Sequence, residues 1–253
     1  MNAEQRREFI VNFVNENKQV HFNTIKEQLS DISEMTLRRD LEYLNKHNKI
    51  VRVLGGAKSI KCLINAAEPA YSIRSVENME NKALIAKKAL TLIHPNTAIF
   101  LGSGTTVSQL AKIIPNGHYF IATTGSNCIA DLSAIDGASI LMLGGMVNKN
   151  SFSVYGSIPV EMLKSMNFSI AFLGVSGYIP GKGFCTSIAE DCIMLKQVIS
   201  CSEKVAILMD SSKVGHSGFC TFATSSSVDY VVSDGGLDSA VVSELQEGGV
   251  SIL

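Results

Sequence analysis

The chain has 253 residues, 46% of them apolar and 18% charged, with a formal net charge of −1. That length favours two domains, the apolar fraction is ample for a packed core, and no apolar run approaches the roughly 20 residues of a bilayer span. The six cysteines form no CxxC pair and have no histidine at ligand spacing, which argues against a metal site or disulfide scaffold, and the polar start MNAEQRREFI argues against a secretory signal, so a reduced cytoplasmic protein is expected.

The small net charge hides an asymmetry. Residues 1–61 carry 11 Lys/Arg and 8 Asp/Glu, a net +3, and the remainder carries 11 and 15, a net −4. A basic end on an acidic body suits contact with nucleic acid.

From the N-terminus, Phe9, Ile10, Phe13 and Val14 recur at helical spacing, predicting a helix over residues 2–17. A second helix is expected from Asn23, as N-cap, to Leu29, burying Ile25 and Leu29. After the tight turn SDIS, Ser33 caps a third helix running to about His47. The run IVRVLGGAKSI then reads as a β-hairpin turning at Gly55-Gly56. Three helices closed by a hairpin describe a winged helix-turn-helix, whose third helix enters the major groove of double-stranded DNA. Leu37, Leu41 and Leu44 point inward in that helix; Thr36, Arg39 and Tyr43 lie opposite, flanked by Glu34 and Arg38. A plain charged face, with Arg38 pairing Glu34 at i,i+4, is the alternative. The neighbouring helix, hairpin and basic excess favour DNA contact by Ser33, Glu34, Thr36, Arg38, Arg39 and Tyr43, with Arg52 and Lys58 of the hairpin on the backbone.

Residues 62–75 read as a linker between a DNA-binding domain (1–61) and a second domain (76–253). The latter opens with a helix over Val76–Ile93, expected to bury Ala83, Ile85, Ala86, Ala89, Leu90 and Leu92. Apolar strands then alternate with helical segments: strands at Ala98–Leu101, Tyr119–Ala122, Ile140–Leu143, Ile170–Val175, Val205–Met209 and Tyr230–Val232, helices near Thr106–Ile114, Asn127–Ala134, Ile158–Ser165, Ile188–Ser200 and Ser239–Gln246. This pattern predicts a Rossmann-like α/β domain with a mainly parallel sheet, binding its ligand at the carboxyl ends of the strands.

Three strand ends have suitable chemistry. Gly102, Ser103, Gly104, Thr105 and Thr106 join a strand to a helix with small residues and hydroxyls, able to close around an anion. Without a Gly-Lys-Ser/Thr ending or GxGxxG, the stretch does not point to a nucleotide. Thr124, Gly125, Ser126 and Asn127 repeat the composition. Asp210 and Lys213 add an acceptor for sugar hydroxyls and a cation for the anion. Each loop alone is equally a tight turn; together they favour a small polyhydroxylated anion, and no cofactor is implied.

These residues resemble the DeoR family of bacterial sugar-operon regulators over nearly the whole chain. The N-terminal signature is matched by Ser33, Thr36 to Leu41, Arg52 and Gly55 to Ala57. The sensor part, itself similar to ribose-5-phosphate isomerase, is matched by Gly104 to Thr106, Thr124, Ser126-Asn127, Leu143 to Gly145, Gly156, Phe172, Gly174, Lys196 and Asp210 to Lys213. Where the family usually has glycine before the recognition helix this chain has Asp31, which tolerates a left-handed conformation. Where the family often has aspartate before the Ser-Gly-Thr-Thr loop it has Gly102, as in the isomerase. The resemblance implies a homodimeric or homotetrameric repressor of a carbohydrate operon, released from operator DNA by a phosphorylated sugar. The enzyme alternative is a sugar-phosphate isomerase, but Gly174 to Tyr178 hold no carboxylate where isomerases have an acidic loop, and Leu195 precedes Lys196 where they have a catalytic glutamate. Glu190 and Asp191, one to two turns away, could still bind a hydroxyl; Glu190 and Lys196 are taken as ligand contacts, and binding without turnover is expected.

Overall fold

The computed structural model describes residues 3–17, 19–47, 49–53, 55–59 and 71–253. The chain divides into two compact units, Met1–Ala67 and Glu68–Leu253.

The first unit holds α1 (Ala3–Asn17), β1 (Gln19–His21), α2 (Phe22–Gln28), α3 (Glu34–Lys46), β2 (Ile50–Val53) and β3 (Gly56–Ser59). Ile10 and Val14 of α1, Ile25, Leu29, and Leu37, Leu41 and Leu44 of α3 share one core with Val20, Ile50 and Ala57. Ser33 caps α3 as its spacing predicts, its hydroxyl accepting from the Thr36 N–H at 3.2 Å. Two local expectations are corrected. Helix α2 starts at Phe22 with His21 in the N-cap position, so Asn23 lies inside it; the Phe22 N–H is instead satisfied by Gly55 O at 2.7 Å. Asp31 is not among the residues of positive φ; the turn closes through Ile32 N–H donating to Leu29 O at 3.1 Å and Lys26 Nζ donating to Ser30 O at 2.7 Å. The hairpin gains a third strand, in the order β1-β3-β2. Gly56 permits that approach, because a Cβ there would overlap Val20 O.

The second unit begins with α4 (Tyr71–Val76) and α5 (Met79–Leu90). Of the stretch read as linker, residues 62–70 lie outside the described residues, and the remainder belongs to α4. The single helix expected from Val76 is divided, because Asn78 adopts φ +50° and starts α5 afresh. On α5 the expected inward Ala83 is exposed, and the inner face includes Lys82 instead.

Next come β4 (Thr97–Leu101), α6 (Thr105–Ala111), β5 (Tyr119–Thr123), α7 (Ile129–Ser133), β6 (Ala138–Met142), β7 (Met146–Val147), β8 (Val154–Tyr155), α8 (Ser157–Leu163) and β9 (Ile170–Gly174). The chain ends with β10 (Gly177–Ile179), β11 (Gly183–Thr186), α9 (Ala189–Ser200), β12 (Val205–Leu208), β13 (Cys220–Ala223), β14 (Tyr230–Val232), α10 (Ser239–Glu247) and β15 (Ser251–Ile252). Seven strands pair in the order β15-β14-β12-β9-β4-β5-β6, every pair parallel. Alternate residues supply two cores, with Phe100, Leu173 and Ile207 on one face and Ile99, Phe172 and Leu208 on the other. Not foreseen were the antiparallel sheet β10-β11-β13 and the pair β7-β8, whose strands of two to four residues are too short to print a period. Among the described residues no helix is long and apolar enough to cross a membrane, and five cysteines are free thiols; Cys62 lies outside the described residues.

One ion cluster joins α1 to α3. Asp40 is 1% exposed; Arg6 Nε donates to its Oδ2 at 2.5 Å and Arg7 Nε to its Oδ1 at 2.7 Å. In the run Arg38-Arg39-Asp40 the acid therefore faces inward and both arginines face out. Asp40→Asn leaves the buried Arg6 guanidinium without its counter-charge, and is expected to destabilise this unit by about 3 kcal/mol. Amide exchange should accelerate in α1 and α3 while the seven-stranded sheet keeps its protection.

Candidate functional site

Strand order decides which predicted loops meet. Strands β5 and β6 extend the sheet to one side of β4, and β9, β12, β14 and β15 to the other, so the carboxyl ends of β4 and β9 flank the point where the winding reverses, where an open α/β sheet forms its crevice. A cleft lies there. Gly102, Ser103, Gly104, Thr105 and Thr106 form one wall; Gly174, Val175 and Ser176 after β9, and Asp210, Ser212 and Lys213 after β12, form another. Two of the three predicted loops thus converge.

At the first loop Gly102 N–H donates to Phe172 O at 2.9 Å, fixing the bend against β9. Gly104 takes φ +122°, and a side chain built there would meet nothing within 4 Å, so its conformation rather than crowding favours glycine. Ser108 N–H is the first in α6 to find a helical acceptor, Gly104 O at 3.0 Å. The N–H groups of Thr105, Thr106 and Val107 precede that ladder. At the third loop Asp210 is 1% exposed and caps the turn Ser211–Lys213, accepting from Ser212 N–H at 3.1 Å and from the Ser212 hydroxyl.

The second loop lies elsewhere: Thr124, Gly125, Ser126 and Asn127 are not among the residues lining the cleft. β5 is one strand further from β9, and the loop is engaged by its neighbours. Gly125 N–H donates to Thr123 Oγ1 at 2.9 Å, Ser126 donates through N–H and hydroxyl to Phe152 O at 2.9 Å each, and Asn127 Nδ2 donates to Tyr71 Oη at 3.1 Å and to Ser108 Oγ. Glu190 and Lys196 are exposed on α9 and do not line the cleft. Asp191, Met194 and Leu195 of the same helix do. Periodicity separates Asp191 from Glu190, since Asp191 stands three, four and seven residues before the buried Met194, Leu195 and Val198.

The remaining wall comes from residues passed over in the sequence. Arg74 of α4, Glu77, Asn78 and Lys82 of α5 all line the cleft. Lys82 is 4% exposed; its Nζ donates to Glu77 O at 2.6 Å and to Arg74 O. Burial lowers its pKa below the usual 10.5, and the Lys213 charge lowers it further, against opposing pulls from Asp210 and Glu77. Lys82 and Lys213 are therefore like charges within mutual reach, an arrangement that a bound anion relieves.

In the N-terminal unit Arg38, Arg39 and Tyr43 are exposed on α3, with Ser33 and Glu34 exposed at its start and Thr36 half-buried. Arg38 stands 3.8 Å from Glu34 and 4.7 Å from the centre of the Phe22 ring. Tyr43 is sandwiched, its ring 3.7 Å from the Arg7 guanidinium and 4.0 Å from His47. Arg38 and Arg52 border one shallow depression with His21, Asn23 and Gly55. Lys58 is on the central strand β3, one register step from Arg52 and on the opposite face.

Residues 6–62 match the family model of the DeoR-like helix-turn-helix domain, and residues 77–235 that of the DeoR C terminal sensor domain. The chain is 30% identical to the HTH-type transcriptional repressor GlcR of Bacillus subtilis, over 100% of this chain and 96% of that one. It is 31% identical to the lactose phosphotransferase system repressor of Staphylococcus epidermidis, over 92% of this chain and 93% of that one. Among solved structures it is similar to ribose 5-phosphate isomerase A of Methanocaldococcus jannaschii, with 17% identity, a TM-score of 0.41, and 55% of each chain covered.

Asp234 steadies the turn that presents Lys213. Its Oδ1 accepts from the N–H groups of Ser211 at 3.1 Å and Gly236 at 3.2 Å, and its Oδ2 from Asn81 Nδ2 at 2.7 Å and Ser211 Oγ at 3.1 Å. Partial burial raises the carboxyl pKa, but these donors outweigh it and the net shift is below the usual 3.8. A carboxyl whose folded pKa is depressed stabilises the protein above its unfolded pKa and loses that contribution as pH falls through the folded value. Asp234→Asn is expected to cost about 2 kcal/mol at neutral pH. In urea titrations the gap between variant and wild type should narrow as the pH is taken down through and below 3.8.

Proposed function

The chain belongs to the DeoR family, and from that premise we propose that it represses a carbohydrate-utilisation operon and releases its operator when a phosphorylated sugar occupies the cleft. The observation that carries the ligand half is the meeting of Arg74, Lys82 and Lys213 with the bend Gly102–Thr106 in one cleft that also holds Asp191 and Asp210. The cations and loop amides suit a phosphoryl group, and carboxylates and hydroxyls such as Ser176 and Thr186 suit the hydroxyls of a sugar. The names of the repressors to which the chain is similar support the same sense of regulation.

The DNA half follows from α3. Ser33, Glu34, Thr36, Arg39 and Tyr43 address base edges and phosphates, and Arg38 leaves its weak exposed pair with Glu34 for a phosphate or guanine. Arg52 and Lys58 secure the hairpin to the backbone. A homodimer or homotetramer presents two such helices to paired half-sites, and the ligand favours a state in which their spacing is wrong.

Turnover is not part of this reading. Isomerisation needs a base between adjacent carbons. The segment Gly174 to Tyr178 supplies no carboxylate, and the Asp210 carboxylate caps its own turn.

Two measurements test the proposal. Arg38→Ala with Arg39→Ala should weaken binding to the promoter of the chain's own operon and lower the slope of log K against log salt by about 2, with the melting temperature unchanged; an unaltered slope removes the DNA role of this face. In a panel of ribose 5-phosphate, glucose 6-phosphate, fructose 6-phosphate and their parent sugars, at least one phosphorylated member should raise the melting temperature by several degrees where its parent sugar does not. Isomer formation by that member in NMR would overturn the sensor reading.

A further inference from the structure

Helix α4 is the first described element after residues 60–70, through which the chain passes from the N-terminal unit to the second. It is tied down at both ends. At its start Tyr71 N–H donates to Asn150 O at 2.7 Å, and its hydroxyl donates to Ser108 Oγ at 3.0 Å while accepting from Asn127 Nδ2 at 3.1 Å. Ser108 belongs to α6 and donates in turn to Gly104 O at 2.8 Å, inside the anion loop. The Tyr71 ring meets Phe152 edge-on at 5.4 Å. Phe152 holds φ +55°, a conformation that a bulky residue keeps only where its surroundings impose it. At the other end Lys82 grips the carbonyls of Arg74 and Glu77, and Asn78 Nδ2 donates to Ser212 Oγ at 3.3 Å, reaching the Asp210 turn.

The Tyr71 hydroxyl thus ties one end of α4 through Ser108 to the Gly104 bend, and Asn78 ties the other to the Asp210 turn. Arg74, Glu77 and Asn78 themselves line the cleft, and Lys82 carries the charge opposed by Lys213. We propose that α4 is part of the ligand site and its output: an anion in the cleft is held by Arg74 and Lys82 as well as by the Gly102–Thr106 loop and Lys213, and tightens α4 through Tyr71 and Lys82. This rests on the reading that the cleft binds a phosphoryl group. The anion offsets the repulsion between the two lysines, so the Lys82 ammonium keeps its hold on the end of α4, and ordering of Gly104 orders Ser108 and with it the Tyr71 hydroxyl. The hydroxyl- and amide-rich composition of the second loop is explained at the same stroke as a grip: Asn127 serves α4 rather than the ligand.

The test is hydrogen–deuterium exchange of the full chain, wild type and Tyr71→Phe, with and without inorganic phosphate, following segments 71–77 and 102–108 separately. Phe keeps the ring contact with Phe152 and removes only the hydroxyl. In the wild type, phosphate should slow exchange in both segments. In Tyr71→Phe, segment 71–77 should exchange about three- to tenfold faster without phosphate, and phosphate should still slow 102–108 while slowing 71–77 far less. Protection of 102–108 with no change in 71–77 of the wild type overturns the role of α4 alone, as does an equal response of 71–77 in both proteins. No protection of 102–108 in the wild type overturns the phosphoryl-binding reading, and this inference with it.

Discussion

The cleft depends on two parallel strands, β4 and β9, lying side by side while the strands after each run to opposite edges of the sheet. That reversal leaves the carboxyl ends of β4 and β9 without a crossover helix between them. The bond from Gly102 N–H to Phe172 O pins the bend to this line. A Cβ at Gly102 would stand 3.3 Å from the same carbonyl, so a larger residue would have to shift the bend or β9. Adjacency to β9, more than loop composition, then selects the residues that line the cleft: Asp210 and Lys213 follow the other neighbour of β9, whereas Thr124 to Asn127 follow a strand that is not its neighbour.

Buried charge organises both units, with different consequences. Asp40 is neutralised by two guanidiniums and acts as a rivet between α1 and α3, freeing Arg38 and Arg39 for the outer surface. Lys82 is buried with its donors on carbonyls, and its pKa is driven down by burial and by Lys213. A saturated ion cluster resists change. A cation held mainly by neutral acceptors beside a like charge responds to an incoming anion. The first belongs in a rigid reading head and the second in a sensor.

Much of this architecture was legible in the sequence because its elements are long enough to print a period. The leucines of α3, the Ser33 cap and the six apolar strands before Ser233 all occupy the structure near their expected limits. What escaped was short or tertiary. Strands β1, β7, β8, β10, β11 and β13 have two to four residues and exist by pairing. Asn78 breaks a pattern that reads as one helix, and the burial of Lys82 in place of Ala83 contradicts hydropathy because carbonyls of α4 and Glu77 receive its ammonium. At the site, loop chemistry identified two walls correctly placed in the cleft. Composition could not separate the second loop from them, since hydroxyls that grip a protein side chain look like hydroxyls that would grip a sugar. Of the two adjacent acids Glu190 and Asp191, the helical face of α9 turns only Asp191 to the cleft.

The energies in α4 suit a switch. Its ties are a handful of hydrogen bonds, each worth about 1 kcal/mol net, and a six-residue helix has little stability of its own. Its order therefore rests on those ties to its neighbours. A ligand need differ in affinity between two states by only about 3–5 kcal/mol to move most of a population, a range within reach of one phosphoryl group meeting two lysines and a few amides. Were α4 instead fixed by a large apolar face, that sum would be lost against the packing; Ile73 and Val76 are 52% and 69% exposed, so no such face holds it within this unit. The same weakness makes α4 invisible to periodicity, because six residues held by tertiary ties print no clear repeat.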